Sequence, residues 1–431
     1  MNALTWKSLS APARRAALQR PAQKAQKRTA LVVAGIIALV RRGGDKALRR
    51  ITAKFDGVKL ASLRVSATEF AAAERILQPA DKAALRTAYR NLRKFHLAQR
   101  PASLRVETMP GVVCEKVSRP IGRVGLYVPG GSAPLFSTAL MLGVPSQIAG
   151  NPVRGLCTPP GRDGKVSPWI LYAAQLCGIT EVFKLGGAQA IAAMAYGTKS
   201  VPKCDKLFGP GNSFVTEAKL QVSRDAAAID LPAGPSEVMV IADNSANPTF
   251  VAADLLSQAE HGPDSQVVLV AFSAKFAARV QAEVAKQLAA LPRGAIATRA
   301  LANSRVILAA SPAEAVEIAN RYAPEHLILQ VADPRALLPK ITTSGSVFLG
   351  AWTPESLGDY ASGTNHVLPT YGWARACSGL GLNDFLRTMT VQTATPRGLK
   401  KLGPVVERLA LAENLAAHQR AVRVRLDQLS R

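Results

Sequence analysis

Between residues 124 and 242 the chain repeats one pattern: a short apolar run, a turn rich in glycine or proline, then an apolar stretch of helical length. GLCTPP is followed by a helical Trp169–Cys177, EVFKLGG by AQAIAAMAYG, and KLFGPGNSF and IDLPAGPSEVMVIAD continue the series. Two parallel strands can be joined only by a crossover, and a helix of about ten residues supplies one. The alternation therefore commits this region to βαβ units around a parallel sheet. A second α/β unit follows, with strands at Gln266–Phe272 and Ser304–Ala309 and helices at Phe276–Leu291 and Pro312–Asn320. A chain of 431 residues is long enough for two such domains, each with its own core.

The flanks read differently. Residues 6–50 predict helix with a break at Gly43-Gly44, and residues 66–100 predict a long helix interrupted at Pro79. Val113, Val117, Val124, Leu126 and Val128 alternate with polar or small residues and predict strands over 110–128. From about Gly381 the tail predicts helices only, Val405–Asn414 and Leu415–Leu429, with no strand signal.

Apolar residues make up 48% and charged residues 19%, a globular composition. The longest apolar run, Ala30–Val40, has 11 residues and ends at Arg41-Arg42, too short to span a bilayer. The five cysteines are scattered with no CxxC pair, which predicts reduced thiols and a cytoplasmic setting. Net charge is +25, and residues 1–100 hold 22 Lys and Arg against 5 Asp and Glu. A basic face attracts polyanions, but this one has few aromatics and no zinc-finger or RNA-binding signature, so it reads as a solvated surface. The first 44 residues contain no acid, a composition shared with organelle transit peptides.

Candidate chemistry gathers after residue 200. In DLLSQAEHGPD, Gln258 and His261 leave the same face of a helix that stops at Gly262-Pro263. An amide oxygen and an imidazole side by side form half of a divalent-metal site. His326 follows an acid in YAPEHL, His366 lies seven residues after Asp359, and His418 lies five after Glu413. His96, among basic residues, reads as solvent-facing. Three glycine-rich loops, PGGSAP (Pro129–Pro134), LGGAQ (Leu185–Gln189) and GPGNS (Gly209–Ser213), each follow a strand signal and suit close backbone approach to a phosphate or cofactor. No P-loop or GxSxG elbow is present.

These strings carry a family resemblance. VGLYVPGGSAPLFST, KLGGAQAIAAMAYGT, FGPGNSFVTEAK, IDLPAGPSEVMVIAD, LLSQAEHGPDSQ, NRYAPEHL, GSVFLGAWTPESLGDYASGTNHVLPT and AENLAAH together resemble the histidinol dehydrogenases. WKSLS, RPA, VRRGGDKAL and KFDG resemble that family's opening, so the acid-free start is expected to be mature protein. The resemblance implies two incomplete Rossmann-like α/β domains with small terminal segments that interlock a dimer. It places a helical segment at 1–25, a metal and catalytic domain at 26–126 with 238–380, an NAD-binding domain at 127–237, and a helical dimerisation segment at 381–431. It implies oxidation of L-histidinol to L-histidine with two NAD and one zinc. By position in the matching motifs, Gln258, His261, Asp359 and His418 would hold the metal, and Glu325 and His326 would be the acid/base pair. Ser236, His366 and Glu413 would contact substrate with His326 and the metal ligands, and Tyr127, Gln189 and Asn212 would contact NAD. Two features depart from the family pattern: Asn414 stands where glycine is expected, and the strong basic charge of residues 1–100 is less expected for a cytosolic metabolic enzyme.

The residue types suit that chemistry. Histidinol offers an imidazole and an amine, both nitrogen donors for zinc acting as a template. An imidazole can take the hydroxyl proton as hydride leaves, and a carboxylate can activate water for the second oxidation. No cysteine is required. Two other functions remain open: a related zinc and NAD alcohol dehydrogenase acting on another amino alcohol, and a basic polyanion-binding protein with an inactive site.

Overall fold

The computed structural model describes residues 1–20, 26–130, 134–231 and 234–430. The centre of the PGGSAP loop lies outside them, as do two residues of IDLPAGPSEVMVIAD. The first strands in chain order are β1 (Asn2–Thr5), β2 (Leu104–Met109), β3 (Val112–Pro120), β4 (Arg123–Tyr127), β5 (Val153–Thr158), β6 (Glu181–Lys184) and β7 (Lys206–Phe208). They continue with β8 (Ala228–Ile229), β9 (Glu237–Ala242), β10 (Gln266–Ala271), β11 (Arg305–Leu308), β12 (His326–Gln330), β13 (Ser346–Leu349) and β14 (Leu386–Ala394).

Two parallel sheets organise them. The five-stranded sheet has the order β6-β5-β4-β7-β8, and the six-stranded sheet β1-β11-β10-β9-β12-β13. The central strands of the six-stranded sheet are buried along their whole length and apolar past their first residue, as in EVMVIA and QVVLVA, because helices cover both faces. On one face of the five-stranded sheet, the Gln26–Phe55, Gly187–Tyr196 and Ser213–Val222 helices share a core with Tyr127 and Phe183. On the other face lie the Ala67–Ile76, Pro79–Leu97, Phe136–Ala149 and Pro168–Leu176 helices. The six-stranded sheet is covered by the Pro248–Ala259, Ala274–Leu288 and Gly294–Ala302 helices on one side. The N-terminal segment and the Pro312–Tyr322 helix cover the other.

The packing revises several expectations. Residues 26–97 pack around the five-stranded sheet, where the apolar stripe Val33, Ile36, Ile37 and Val40 seals against that sheet's helices. The Pro79–Leu97 helix also meets the 361–380 segment, with Asn91 donating to the Ala361 carbonyl and His96 beside Asn365, and β2 and β3 pair apart from both parallel sheets. The first residues are not helical: β1 adds an edge to the six-stranded sheet, and Trp6 is buried behind it. Two expected breaks are present. At Gly43-Gly44, Gly44 is non-helical, with φ 47° and ψ −136°, and divides residues 26–55 into two helical stretches that meet at a kink. Pro79 divides residues 66–100 into two helices and starts the second, while Ser66 and Glu69 cap the first reciprocally.

The tail also differs from its expected form. Residues 386–394 form β14, paired antiparallel with β3 from Leu386 opposite Pro120 to Ala394 opposite Val112. Thr388, Thr390, Val391 and Thr393 supply the β-branched side chains that favour an extended strand. Beyond it the Pro396–Ala412 and Ala416–Leu429 helices pack on each other. Asn414 turns between them at φ 59°, a left-handed conformation that asparagine tolerates better than other residues with a side chain. Its replacement of glycine here is therefore mild. No described helix is long and apolar enough to cross a membrane.

Candidate active site

Strand order reverses in each sheet at one point: between β4 and β7 in the five-stranded sheet, and between β9 and β12 in the six-stranded one. Ligand clefts in open parallel sheets form at such points, outside the carboxyl ends of the strands. The five-stranded sheet obeys this rule. A cleft of about 1410 Å³ opens there, lined by Tyr127 at the end of β4, Pro159 after β5, Gly186 and Gly187 after β6, and Asn212 after β7. The three expected cofactor contacts, Tyr127, Gln189 and Asn212, all line it. Tyr127 Oη accepts from Gly187 N–H at 3.1 Å, and burial pushes its phenol to about 12. Asn212 caps the Ser213–Val222 helix by accepting from the N–H groups of Phe214 and Val215.

The GPGN loop is held firmly. Asp230 accepts from Gly209 N–H at 2.7 Å, and Lys219, ion-paired with Asp230, donates to the Gly209 carbonyl at 2.9 Å. A Cβ on Gly209 would stand 2.1 Å from the Tyr127 carbonyl oxygen, at φ 125°, so only glycine lets the loop approach β4. An open cleft of this size, with Gly130, Gly186 and Gly187 in its lining, has room for a dinucleotide.

The six-stranded sheet does not follow the rule, because its polar cluster sits at the amino ends of β9 and β12. Glu237 opens β9 and His326 opens β12, with His326 registered against Val238. Gln258 Nε2 lies 2.9 Å from His326 Nδ1 and 3.3 Å from the Glu237 carbonyl. His326 Nδ1 is also 3.2 Å from that carbonyl and 3.6 Å from Glu325 Oε2, while Nε2 is 3.4 Å from Asp359 Oδ1. Glu325 Oε2 accepts from Glu237 N–H at 2.8 Å. Ser236 directly precedes β9 and is half-buried. Glu355, one helical turn before Asp359, accepts from Ser257 at 3.2 Å. Gln258 Oε1, His326 Nε2, His366 Nε2 and Glu355 Oε2 are enclosed with no hydrogen-bond partner.

The charges act on one another. Burial alone would depress His326, but Glu325, Glu355 and Asp359 outweigh it and hold its imidazolium well above the ordinary 6.5. Burial raises the Glu325 carboxyl against the pull of His326, and it pushes Glu355 to about 8. Asp359 stays below its ordinary range: burial works against it, but His326, His366 and His261 outweigh the burial. His261 reaches solvent, yet the protein massed around its ring lowers its proton affinity, with Asp359 opposing. Burial likewise lowers His366.

One chain thus brings together Gln258, His261, Glu325, His326, Asp359 and His366. It leaves Glu413 and His418 apart, both exposed, at the turn and start of the C-terminal helix pair. Among the described residues no three His, Cys, Asp or Glu side chains are grouped to hold a metal ion. The donors present still suit one. Gln258 Oε1 is a buried acceptor without a donor, beside His261 and Asp359, and a nitrogen-and-oxygen set of this kind suits zinc. His96 corrects the sequence reading, being fully buried with Nδ1 2.9 Å from the Leu92 carbonyl and Nε2 beside Asn365. Sequence reasoning also missed Glu237 and Glu355. The signals were a carboxylate opening an apolar strand and a four-residue spacing to Asp359.

Two parallel sheets covered by helices, one with a cleft at its switch point and the other with a carboxylate–imidazole–amide cluster at its amino ends, define a doubly wound α/β protein whose cleft and polar cluster lie on different sheets. The family model described as histidinol dehydrogenase matches residues 18–426. The chain is 59% identical over 427 residues to the histidinol dehydrogenase of Xanthomonas campestris pv. campestris (strain 8004), covering 99% of both chains. It is 57% identical over 433 residues to that of Vibrio cholerae serotype O1, covering 100% of both. The crystal structure of histidinol dehydrogenase from Elizabethkingia anophelis superposes with a TM-score of 0.96 at 46% identity, over 100% of this chain and 99% of that one. The chain belongs to the histidinol dehydrogenase family.

Proposed function

We propose that this chain oxidises L-histidinol to L-histidine with two NAD, as a cytoplasmic enzyme of histidine biosynthesis. The observation that carries the reading is the buried Glu325–His326 pair facing Asp359, with Gln258 and His261 beside it. In the first step His326 takes the hydroxyl proton while the carbinol carbon gives a hydride to NAD, leaving the aldehyde. Glu325 then removes a proton from water as its oxygen bonds to that carbon; the C=O pair moves onto the carbonyl oxygen, and His326 returns its proton there, which gives the hydrate and leaves His326 neutral again. His326 takes a proton from the hydrate, and a second hydride leaves to a second NAD, giving the carboxylate. His326 yields its proton more readily once Asp359 is engaged elsewhere, because Asp359 is one of the carboxylates that retain it.

Zinc, which the family implies, would be held by Gln258, His261 and Asp359 with His418 of a second copy. Bound there, it would act as a template for the two nitrogen donors of histidinol. Ser236, His366 and Glu413 would complete the substrate contacts, and Tyr127, Gln189 and Asn212 would hold the cofactor. The active form is then a homodimer with shared sites. Neither a membrane nor a nucleic acid is needed as partner. The deciding experiment counts NADH per histidine formed from L-histidinol. Two, with almost no free aldehyde, is expected; one, with histidinal accumulating, would overturn the reading.

A further inference from the structure

Arg20 lies just past the Ala11–Ala17 helix, 217 positions from its main partner. Its guanidinium makes a two-point pair with Glu237, Nε to Oε2 at 2.6 Å and Nη2 to Oε1 at 2.8 Å. Nη2 also donates to the carbonyls of Tyr322 at 2.8 Å and Ala323 at 3.3 Å, and the guanidinium lies 4.0 Å over the Tyr322 ring. Those two carbonyls belong to the end of the Pro312–Tyr322 helix, where Ala323 turns the chain at φ 54°. This strained turn leads through Pro324 into Glu325 and His326. A cation capping the last carbonyls stabilises it where no glycine is present.

Glu237, only 1% exposed, passes the restraint on. Its Oε1 accepts from Glu325 N–H at 3.3 Å, and its own N–H donates to Glu325 Oε2 at 2.8 Å. Its carbonyl meets His326 Nδ1 and Gln258 Nε2. Glu325 is thus gripped at both its main chain and its carboxylate. The outer anchor of both grips is a side chain from the N-terminal segment.

We propose that Arg20 is a positioning residue: through Glu237 and the Tyr322–Ala323 carbonyls it sets the Glu325 carboxylate in the site. It pairs a buried carboxylate that would otherwise repel Glu325. A two-point fork suits this task in a way that a lysine ammonium does not. The proposal rests on the reading of Glu325 as one of the catalytic pair.

The test is a double-mutant cycle on the full-length protein with Arg20→Met and Glu325→Gln. NADH formation is followed from L-histidinol and from histidinal, at a temperature well below each variant's Tm. If Arg20 acts through Glu325, R20M lowers the rate about 10–100-fold in the wild-type background, as the loss of a supporting partner does. In the E325Q background it costs less than about threefold, because interacting residues are not additive. The ratio of the two half-reactions in R20M should follow that in E325Q, and R20K should recover part of the loss. A purely structural role lowers Tm and depresses both halves equally in either background. That additive result, or an unchanged rate in R20M, overturns the proposal. E325Q alone reports on the reading of Glu325, so the two failures are distinct. Should R20M not fold, R20K carries the same cycle.

Discussion

Gln258 Nε2 stands 2.9 Å from His326 Nδ1, which ties the proposed metal platform to the proposed base. The amide that orients the imidazole also carries the free buried oxygen. Gln258→Leu should therefore lose metal and misalign the ring together. His261→Ala should lose metal while the amide-to-ring contact persists. Chelation should abolish NADH formation in the wild type and zinc should restore it, with metal content read by elemental analysis. Full metal occupancy in His261→Ala would remove the end of the Pro248–Ala259 helix from the metal platform.

Glu325 and His326 are adjacent in sequence yet differently placed. The Glu325 carboxylate accepts from Glu237 N–H at 2.8 Å, whereas the His326 ring faces Asp359. Glu325→Gln keeps an acceptor for that N–H but loses the basicity needed to activate water. It should slow histidinal oxidation more than histidinol oxidation, while His326→Asn should slow both. Positioned acid/base groups supply roughly 10²–10⁴-fold, so stopped-flow NADH traces from each substrate would resolve the difference. Equal slowing of both halves by Glu325→Gln would assign the water-activating role elsewhere.

How far the sequence reaches depends on which force placed each element. The two parallel sheets were legible because EVMVIA and QVVLVA are apolar on both faces, and only a doubly covered strand needs that. β14 was not, because its Leu, Thr and Val side chains are exposed almost throughout and carry no core-facing alternation. His96 was misread from its neighbours Arg93 and Lys94, although it follows Leu85 and Leu92 on the buried stripe of its helix. The cleft at β4 and β7 followed the switch-point rule. The amino-end cluster at β9 and β12 did not, since no local pattern records which end of a sheet carries charge. Arg20 was one cation among many in a basic segment, and only tertiary contact separates it from a solvated arginine.

Asp254, on the same helix as Gln258, gives a stability test. Its Oδ2 accepts from Gln330 Nε2 at 2.6 Å, and burial pushes its carboxyl from the ordinary 3.8 to about 6. The folded protein keeps this proton to a higher pH than the unfolded chain does. Stability from this group is therefore fully present below about pH 4, falls as pH rises toward 6 and stays flat above, a loss on the order of 2–3 kcal/mol. Asp254→Asn keeps an acceptor for Gln330 and removes the buried charge. Urea unfolding should show the variant more stable than wild type at pH 7, with the difference shrinking between pH 6 and 4. A constant difference across that window would mean that Asp254 does not carry its cost as a buried anion.

His418 and Glu413 lie on the C-terminal helix pair, exposed, while Gln258, His261 and Asp359 wait at the amino ends of β9 and β12. Leu409, Leu411 and Leu415 around them are 62%, 52% and 41% exposed, an apolar surface that a second copy would cover. If each site takes Glu413 and His418 from the other chain of a two-fold dimer, His261→Ala and His418→Ala homodimers should each be inactive. In their heterodimer both lesions fall in one site and the other site is whole. Random exchange makes about half of the dimers mixed, each with one sound site of two, so roughly a quarter of wild-type activity should return. Two differently tagged variants, mixed under conditions that exchange subunits and assayed before and after, supply the measurement. If both ligands came from one chain, every site would keep a lesion in every dimer. No activity would then appear on mixing, and the shared-site arrangement would have to be abandoned.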